Sequence, residues 1–189
     1  MSLIVITPPT AEPVSLAEAR AQARVDHVID DAMLSGYIMA ARETCEHELQ
    51  RTLIATTYEL NLDEFPAGAI ELPMGPIGAV GALTVSSVKY TDITGAEITV
   101  DPSAYMLDAY SIVPRIVPLA GWPSPKTTIN AVRVRYVSGH ADASVIPQAI
   151  KTWILLHVSH LNENREAAAA QLQPLPFLGR LLDKYRTFR

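Results

Sequence analysis

The chain has 189 residues, 49% of them hydrophobic, with 14 prolines, three Phe, two Trp, seven Tyr and a single cysteine. That supply of apolar residues suits one domain, or one domain with an insertion, and the lone Cys45 excludes an internal disulfide and a cysteine-built zinc site. The net charge of −5 is unevenly spread, with −4 on residues 1–53, −4 on residues 54–143 and +3 on residues 144–189, which argues against a broad phosphate-gripping face and leaves only the C-terminal segment basic.

No apolar run approaches the ~20 residues that span a bilayer, and the N-terminus lacks the basic flank and apolar stretch of a signal peptide. A protein made in a reducing cytosol is expected, and no element is assigned to Met1-Ser2-Leu3. Ser15 and Glu18 form a capping box: the Ser hydroxyl accepts from the backbone three residues on, while the Glu carboxylate reaches back to the Ser15 N–H. A short helix from about Leu16 to Arg24 follows. Asp30 or Asp31 then caps a longer helix, whose stripe Leu34, Ile38, Ala41, Cys45 and Leu49 has helical spacing. Cys45 on that stripe reads as a buried small hydrophobe rather than a nucleophile. Glu43, Glu46 and Glu48 lie mostly off the stripe and are expected in solvent.

From Ile54 the period changes. Tyr58, Leu60 and Leu62 alternate with Glu59 and Asn61, a strand pattern, before a Pro- and Gly-punctuated stretch around Ile70-Glu-Leu72. Leu83 to Tyr90 reads as a strand, Asp92-Ile-Thr-Gly95 as a hairpin loop and Glu97 to Val100 as the return. Short strands follow at Tyr105–Leu107 and Arg115–Val117, and the clearest at Val132–Tyr136, with Arg133 and Arg135 on its outer face. Such regular short strands imply an antiparallel β unit. Helix returns after Pro147, with Ile150, Trp153, Ile154, His157, Val158 and Leu161 as its stripe. Ala167–Ala170 extends it before Pro174 and Pro176 interrupt, and Phe177–Arg189 forms a last segment. The expected fold is α+β: a helical bundle of residues 15–53 plus 145–189, with an inserted antiparallel β block, residues 54–144.

No constellation of residues carries a convincing chemistry. His157 and His160 with Glu163 or Asn164 fall short of the three or four converging ligands that zinc needs. Gly75-Pro-Ile-Gly78 and Gly78-Ala-Val-Gly81 lack the lysine and the strand-to-helix setting of a phosphate loop. Ser138, His140 and Asp142 are neighbours in a turn, whereas a catalytic triad is assembled by fold geometry. Catalytic, cofactor and metal sites are therefore all expected to be absent. Trp122, ringed by prolines, is expected to fold back as a lid on the β block rather than to anchor an interface. The tail Arg180-Leu-Leu-Asp-Lys-Tyr-Arg-Thr-Phe-Arg189 joins bases to aromatics, as recognition segments do. Arg180, Lys184, Tyr185, Arg186, Phe188 and Arg189 are the candidate partner-docking residues, on a segment expected to be mobile or loosely docked.

Leu16-Ala-Glu-Ala-Arg20, Arg24-Val-Asp26, Asp30-Asp31, Ala40-Ala-Arg-Glu43, Tyr58-Glu-Leu60 and Ile70-Glu-Leu-Pro73 occur in an order that resembles the head–tail connector (adaptor) proteins of tailed bacteriophages. Asp101-Pro-Ser-Ala-Tyr105, Val132-Arg-Val-Arg-Tyr136, Gly139, Val145-Ile-Pro147 and Glu163-Asn-Arg-Glu166 continue the series to cover essentially the whole chain. Relatives of that family also occur in prophages and gene transfer agents. The resemblance implies a non-enzymatic ring, expected to be twelve-fold, in the virion neck, assembled in the bacterial host cytoplasm. It would bind beneath the portal, extend the DNA channel without sequence-specific binding, and meet a stopper or tail terminator below, with no membrane and no cofactor. The rival readings are a small DNA-binding regulator, which lacks a basic recognition helix, and a metal-dependent enzyme, which lacks converging ionisable groups.

Overall fold

The computed structural model describes residues 1–25, 30–77, 82–164 and 176–186. Asp26, Gly78–Gly81, Arg165–Glu166, Ala167–Ala170, Pro174, Phe188 and Arg189 lie outside the described residues. The elements are β1 (Ser2–Thr7), α1 (Leu16–Ala23), α2 (Asp31–Leu49), β2 (Arg51–Thr52), β3 (Thr56–Leu62), β4 (Ile70–Glu71) and β5 (Gly75–Pro76). After them come β6 (Leu83–Thr91), β7 (Glu97–Thr99), β8 (Tyr105–Asp108), β9 (Arg115–Pro118), β10 (Val132–Ser138), α3 (Gln148–Glu163) and α4 (Pro176–Leu182). The fold is α+β.

The capping box forms as the sequence predicts: the Ser15 N–H donates to Glu18 at 2.7 Å and the Glu18 N–H to Ser15 Oγ at 3.2 Å. Left-handed backbone at Arg24 and Gln50 ends α1 and α2, each cap N–H returning to a carbonyl of the last turn. Arg20 on α1 makes a paired contact with Asp31 at the start of α2. The buried stripe of α2 contains Leu34, Ile38, Ala41, Cys45 and Leu49, and that of α3 contains Ile150, Trp153, Ile154 and Val158. These side chains share one apolar cluster with Val14 and Ala19, with Leu53, Ile54 and Ile77 from the turns and with Leu182 at the end of α4.

The main sheet has the order β1-β3-β10-β6-β7 and is antiparallel throughout. Its period-2 alternation turns Leu60, Val88, Val132, Val134 and Tyr136 into a second cluster, which also takes Ile70 and Ile116 from the three-stranded sheet β4-β9-β8 and Leu72 just beyond β4. Arg133 and Arg135 sit on the opposite face, paired with Glu97 and Glu59 respectively. β1, to which the sequence reading assigned nothing, is an edge strand pairing Leu3 with Leu60 and Val5 with Tyr58. A two-stranded parallel pair, β2 and β5, was likewise not read from the sequence.

The two clusters meet along a seam. The His140 N–H donates to Leu53 O at 2.9 Å and the Ala55 N–H to His140 O at 2.9 Å. His140 Nε2–H donates to Ile77 O at 2.6 Å. Gly139 makes this crossing possible: its φ is +101°, and a Cβ there would lie 2.6 Å from the Ile54 carbonyl. Only glycine takes that conformation without strain and leaves room for the neighbouring backbone.

Candidate functional surfaces

The residues singled out for chemistry are engaged in structural work. Ser138 Oγ donates to Met74 O at 2.7 Å, His140 is committed to Ile77, and Asp142 caps a short 3-10 turn by accepting from the Ser144 N–H at 2.7 Å. The three point to separate partners. His157 stacks on Trp153 with ring centroids 4.8 Å apart, and burial followed by the nearby His160 holds it below the ordinary histidine range. His160 lies beside Asn164, one helical turn on, with their side-chain nitrogens 3.3 Å apart. Cys45 is buried, and burial pushes its thiol far up, so it stays protonated and unreactive. Among the described residues no group of three or more His, Cys, Asp or Glu converges as a metal site would require.

Trp122 folds onto the β cluster as the lid that the sequence predicts. Its ring stacks on Phe65 at 4.9 Å, with Tyr105 at 6.3 Å, and its indole N–H donates to Gly68 O at 2.7 Å.

Glu46 corrects the expectation that all three glutamates on α2 lie in solvent. Glu43 and Glu48 are exposed, but Glu46 is buried. Its Oε1 accepts from the Leu53 N–H at 2.7 Å and its Oε2 from Arg42 at 2.9 Å, while Arg42 also reaches Glu12 at 2.8 Å. Burial raises the Glu46 carboxyl, and the Leu53 N–H and Arg42 act against that rise. The triad ties the N-terminal arm, α2 and the segment just after β2 together. Its sequence signal was the i,i+4 spacing of Arg42 and Glu46; the turn N–H that completes it comes from seven residues beyond Glu46.

The C-terminal segment departs furthest from expectation. Leu182 is fully buried in the helical cluster, with Leu181 and Tyr185 packed against it. Arg186 bonds Glu48 on α2 at 2.5 Å and its backbone N–H donates to Leu182 O at 3.2 Å. The described part of the tail is therefore docked on its own subunit, because Leu181 and Leu182 supply apolar area that a loose terminus would leave in water. Of the six candidate docking residues, Arg180 and Lys184 are exposed, Tyr185 and Arg186 are half-buried, and Phe188 and Arg189 are not described. Lys184 Nζ lies 5.6 Å from the Tyr185 ring centre.

Lys184, Tyr185 and Arg186 of the docked tail line a groove of about 490 Å³ together with Tyr110, Ile112, Pro114, Arg51 and Pro76. Tyr110 is 83% exposed and Ile112 68%. Arg51 donates to Pro76 O at 3.0 Å and to Ile112 O at 3.4 Å, so the groove joins cationic side chains to aromatic and aliphatic ones. A groove with that make-up is suited to holding a protein segment.

The model of the phage gp6-like head-tail connector protein family matches residues 13–106. A search of curated protein sequences gave no match. Among solved structures, a chain in the neck of an empty gene transfer agent particle, computed with C6 symmetry, is 25% identical with a TM-score of 0.79, covering 100% of this chain and 97% of that one. A chain in the virion of the native gene transfer agent particle is 25% identical at a TM-score of 0.78, with the same coverage. A chain in the native neck computed with C12 symmetry is 24% identical at 0.76, again over 100% and 97%. With the family model spanning α1, α2 and the strands from β2 to the start of β8, and the fold matching from end to end, this chain belongs to the head–tail connector family of tailed bacteriophages and their gene-transfer-agent relatives.

Proposed function

We propose that this chain is a structural protein of the virion neck, one subunit of a ring that joins the portal to the tail and prolongs the DNA channel. The observation that carries this reading is the end-to-end fold match to a chain of a gene transfer agent neck. Twelve copies per ring is the count we favour, by analogy with the twelve-fold symmetry of the related native neck. The work is assembly rather than turnover: unlike surfaces on neighbouring copies close a ring.

Within each subunit we assign residues 15–53 plus 145–189 to a helical bundle that is the connector core, and residues 54–144 to an inserted β-rich unit. Two separate apolar clusters support that division. The portal contact is assigned to the tail, through Arg180, Lys184, Tyr185, Arg186, Phe188 and Arg189, with bases answering acids on the portal. The stopper or tail terminator docks on the opposite end. DNA passes without specific binding, a reading supported by the net charge of −5 and by the pairing of Arg133 and Arg135 with carboxylates. Assembly takes place in the bacterial host cytoplasm.

Electron microscopy of particles labelled with antibody against this chain tests the reading. Label at the neck is expected; label confined to the capsid shell or the distal tail overturns it. Portal pull-down with Arg180→Glu/Lys184→Glu protein tests the tail assignment: binding should fall at least tenfold, and unchanged binding places the contact elsewhere.

A further inference from the structure

The main sheet ends in two unlike free edges. β1 closes one side and β7 the other. β1 reads Ser2-Leu-Ile-Val-Ile-Thr7, with neither charge nor proline, and its one register shift falls at the far end, between Val5 and Thr7. Free edges are normally guarded by charge, proline or a covering element, because their unpaired N–H and C=O groups recruit another strand. Here four apolar residues run along the edge, with Ile4 and Val5 45% and 55% exposed.

The pairing registers place side chains from both edges on the same face. Val5 is opposite Tyr58, and Tyr58 opposite Tyr136; at the other end Ile98 is opposite Tyr90, and Tyr90 opposite Val132. Val5 and Ile98 are thus the two ends of the sheet's core-facing apolar layer, yet Val5 is 55% and Ile98 38% exposed. Across five antiparallel strands β1 and β7 also run in the same direction. The registers set Ile98 four residues from the level of Val5, so a second copy staggered by about 13 Å along the strands, as tilted strands in a closed ring are, would lay its β1 parallel to β7 and cover Val5 and Ile98 together. Charge does not oppose this: Glu97 of β7 is already held by Lys89 and Arg133 on the opposite face.

We infer that neighbouring copies of this chain join edge to edge, β1 of one against β7 of the next in parallel, so that the sheet continues from subunit to subunit. The inference rests on the ring reading above and names the contact that closes the ring. A pairing of unlike edges is heterologous and propagates, whereas β1 pairing with β1 would stop at a dimer.

Cysteine pairs test it. Neighbouring strands stand about 4.8 Å apart, within disulfide reach, and Cys45 is buried in the helical cluster. Val5→Cys/Ile98→Cys protein and Leu3→Cys/Ile98→Cys protein, oxidised at high concentration, should give in at least one case a ladder of covalent multimers. Each single variant should give none, and a mixture of Val5→Cys and Ile98→Cys proteins should stop at cross-linked dimers. A separate variant, Val5→Lys, should keep its melting temperature and lose self-association. Rings seen by native mass spectrometry without any ladder overturn the edge pairing and spare the ring. A covalent dimer from Val5→Cys alone assigns the edge to a two-fold contact and also overturns it. Monomer at every concentration overturns the edge pairing, while neck labelling judges the ring reading independently.

Discussion

Leu182→Ala probes the tail most directly. Leu182 has no solvent exposure and lies in the same apolar cluster as Leu34, Trp153 and Ile154, although it follows the chain's last prolines. Truncating a buried leucine costs about 2–5 kcal/mol, the spread set by how far the site collapses. The docked segment is short and lies at a terminus, where relaxation is easiest, so about 3 kcal/mol is the working value. For a chain of this size each kcal/mol moves the melting temperature by roughly 2–4 °C, which gives a fall of roughly 6–12 °C by circular dichroism. Lys184→Ala, at an exposed position on the next turn, serves as the control and should move it by about 1–2 °C or less, as surface changes do. The two variants separate stability from docking: Lys184→Ala should weaken portal binding with an unchanged melting curve. If Leu182→Ala melts with the parent protein, the tail does not belong to the helical core, and truncation after Gly179 should then be thermally silent as well.

Arg42→Ala leaves Glu46 buried with its main cation removed and should cost about 3–5 kcal/mol, read as a lower urea midpoint at unchanged slope. Gly139→Ala forces a side chain into left-handed backbone against the Ile54 carbonyl; a loss of about 1–3 kcal/mol from the backbone alone should show in the same assay, and a neutral result would discount the seam. His157 binds its proton less readily when folded than when unfolded, because burial disfavours the charge. Its contribution is therefore complete above the ordinary histidine pKa and lost as pH falls through the lowered folded value. The melting temperature should drop on going from pH 7.5 to 5, and His157→Gln should flatten that slope; an equal slope in the variant removes His157 as its origin.

The helices were legible because their signals are local. Ser15 and Glu18 announce α1 within four residues, and the stripes of α2 and α3 repeat at helical spacing. The strands β3, β6 and β10 were legible for the same reason, since alternation needs only neighbours in sequence. β1 was not: Leu3-Ile4-Val5-Ile6 is an unbroken apolar run, and its status as a strand depends on β3, more than fifty residues away. Glu46 was misjudged because helical position alone ignores the Leu53 N–H that the following turn folds back to it. The tail was half legible. Its bases and aromatics were read as a recognition segment, while Leu181, Leu182 and Tyr185 carried the opposite message, that one side of the segment belongs to the subunit's own interior.

The seam at Gly139 and His140 has a mechanical consequence. Two backbone hydrogen bonds and the His140 ring contact cross from the sheet to the turns that feed the helices, and glycine lets the backbones come close enough to make them. Swinging the sheet relative to the helices would break all three, two of them between residues buried from water. These contacts tie the sheet to the turns beside the helices, so bending between them at this seam costs three hydrogen bonds at once.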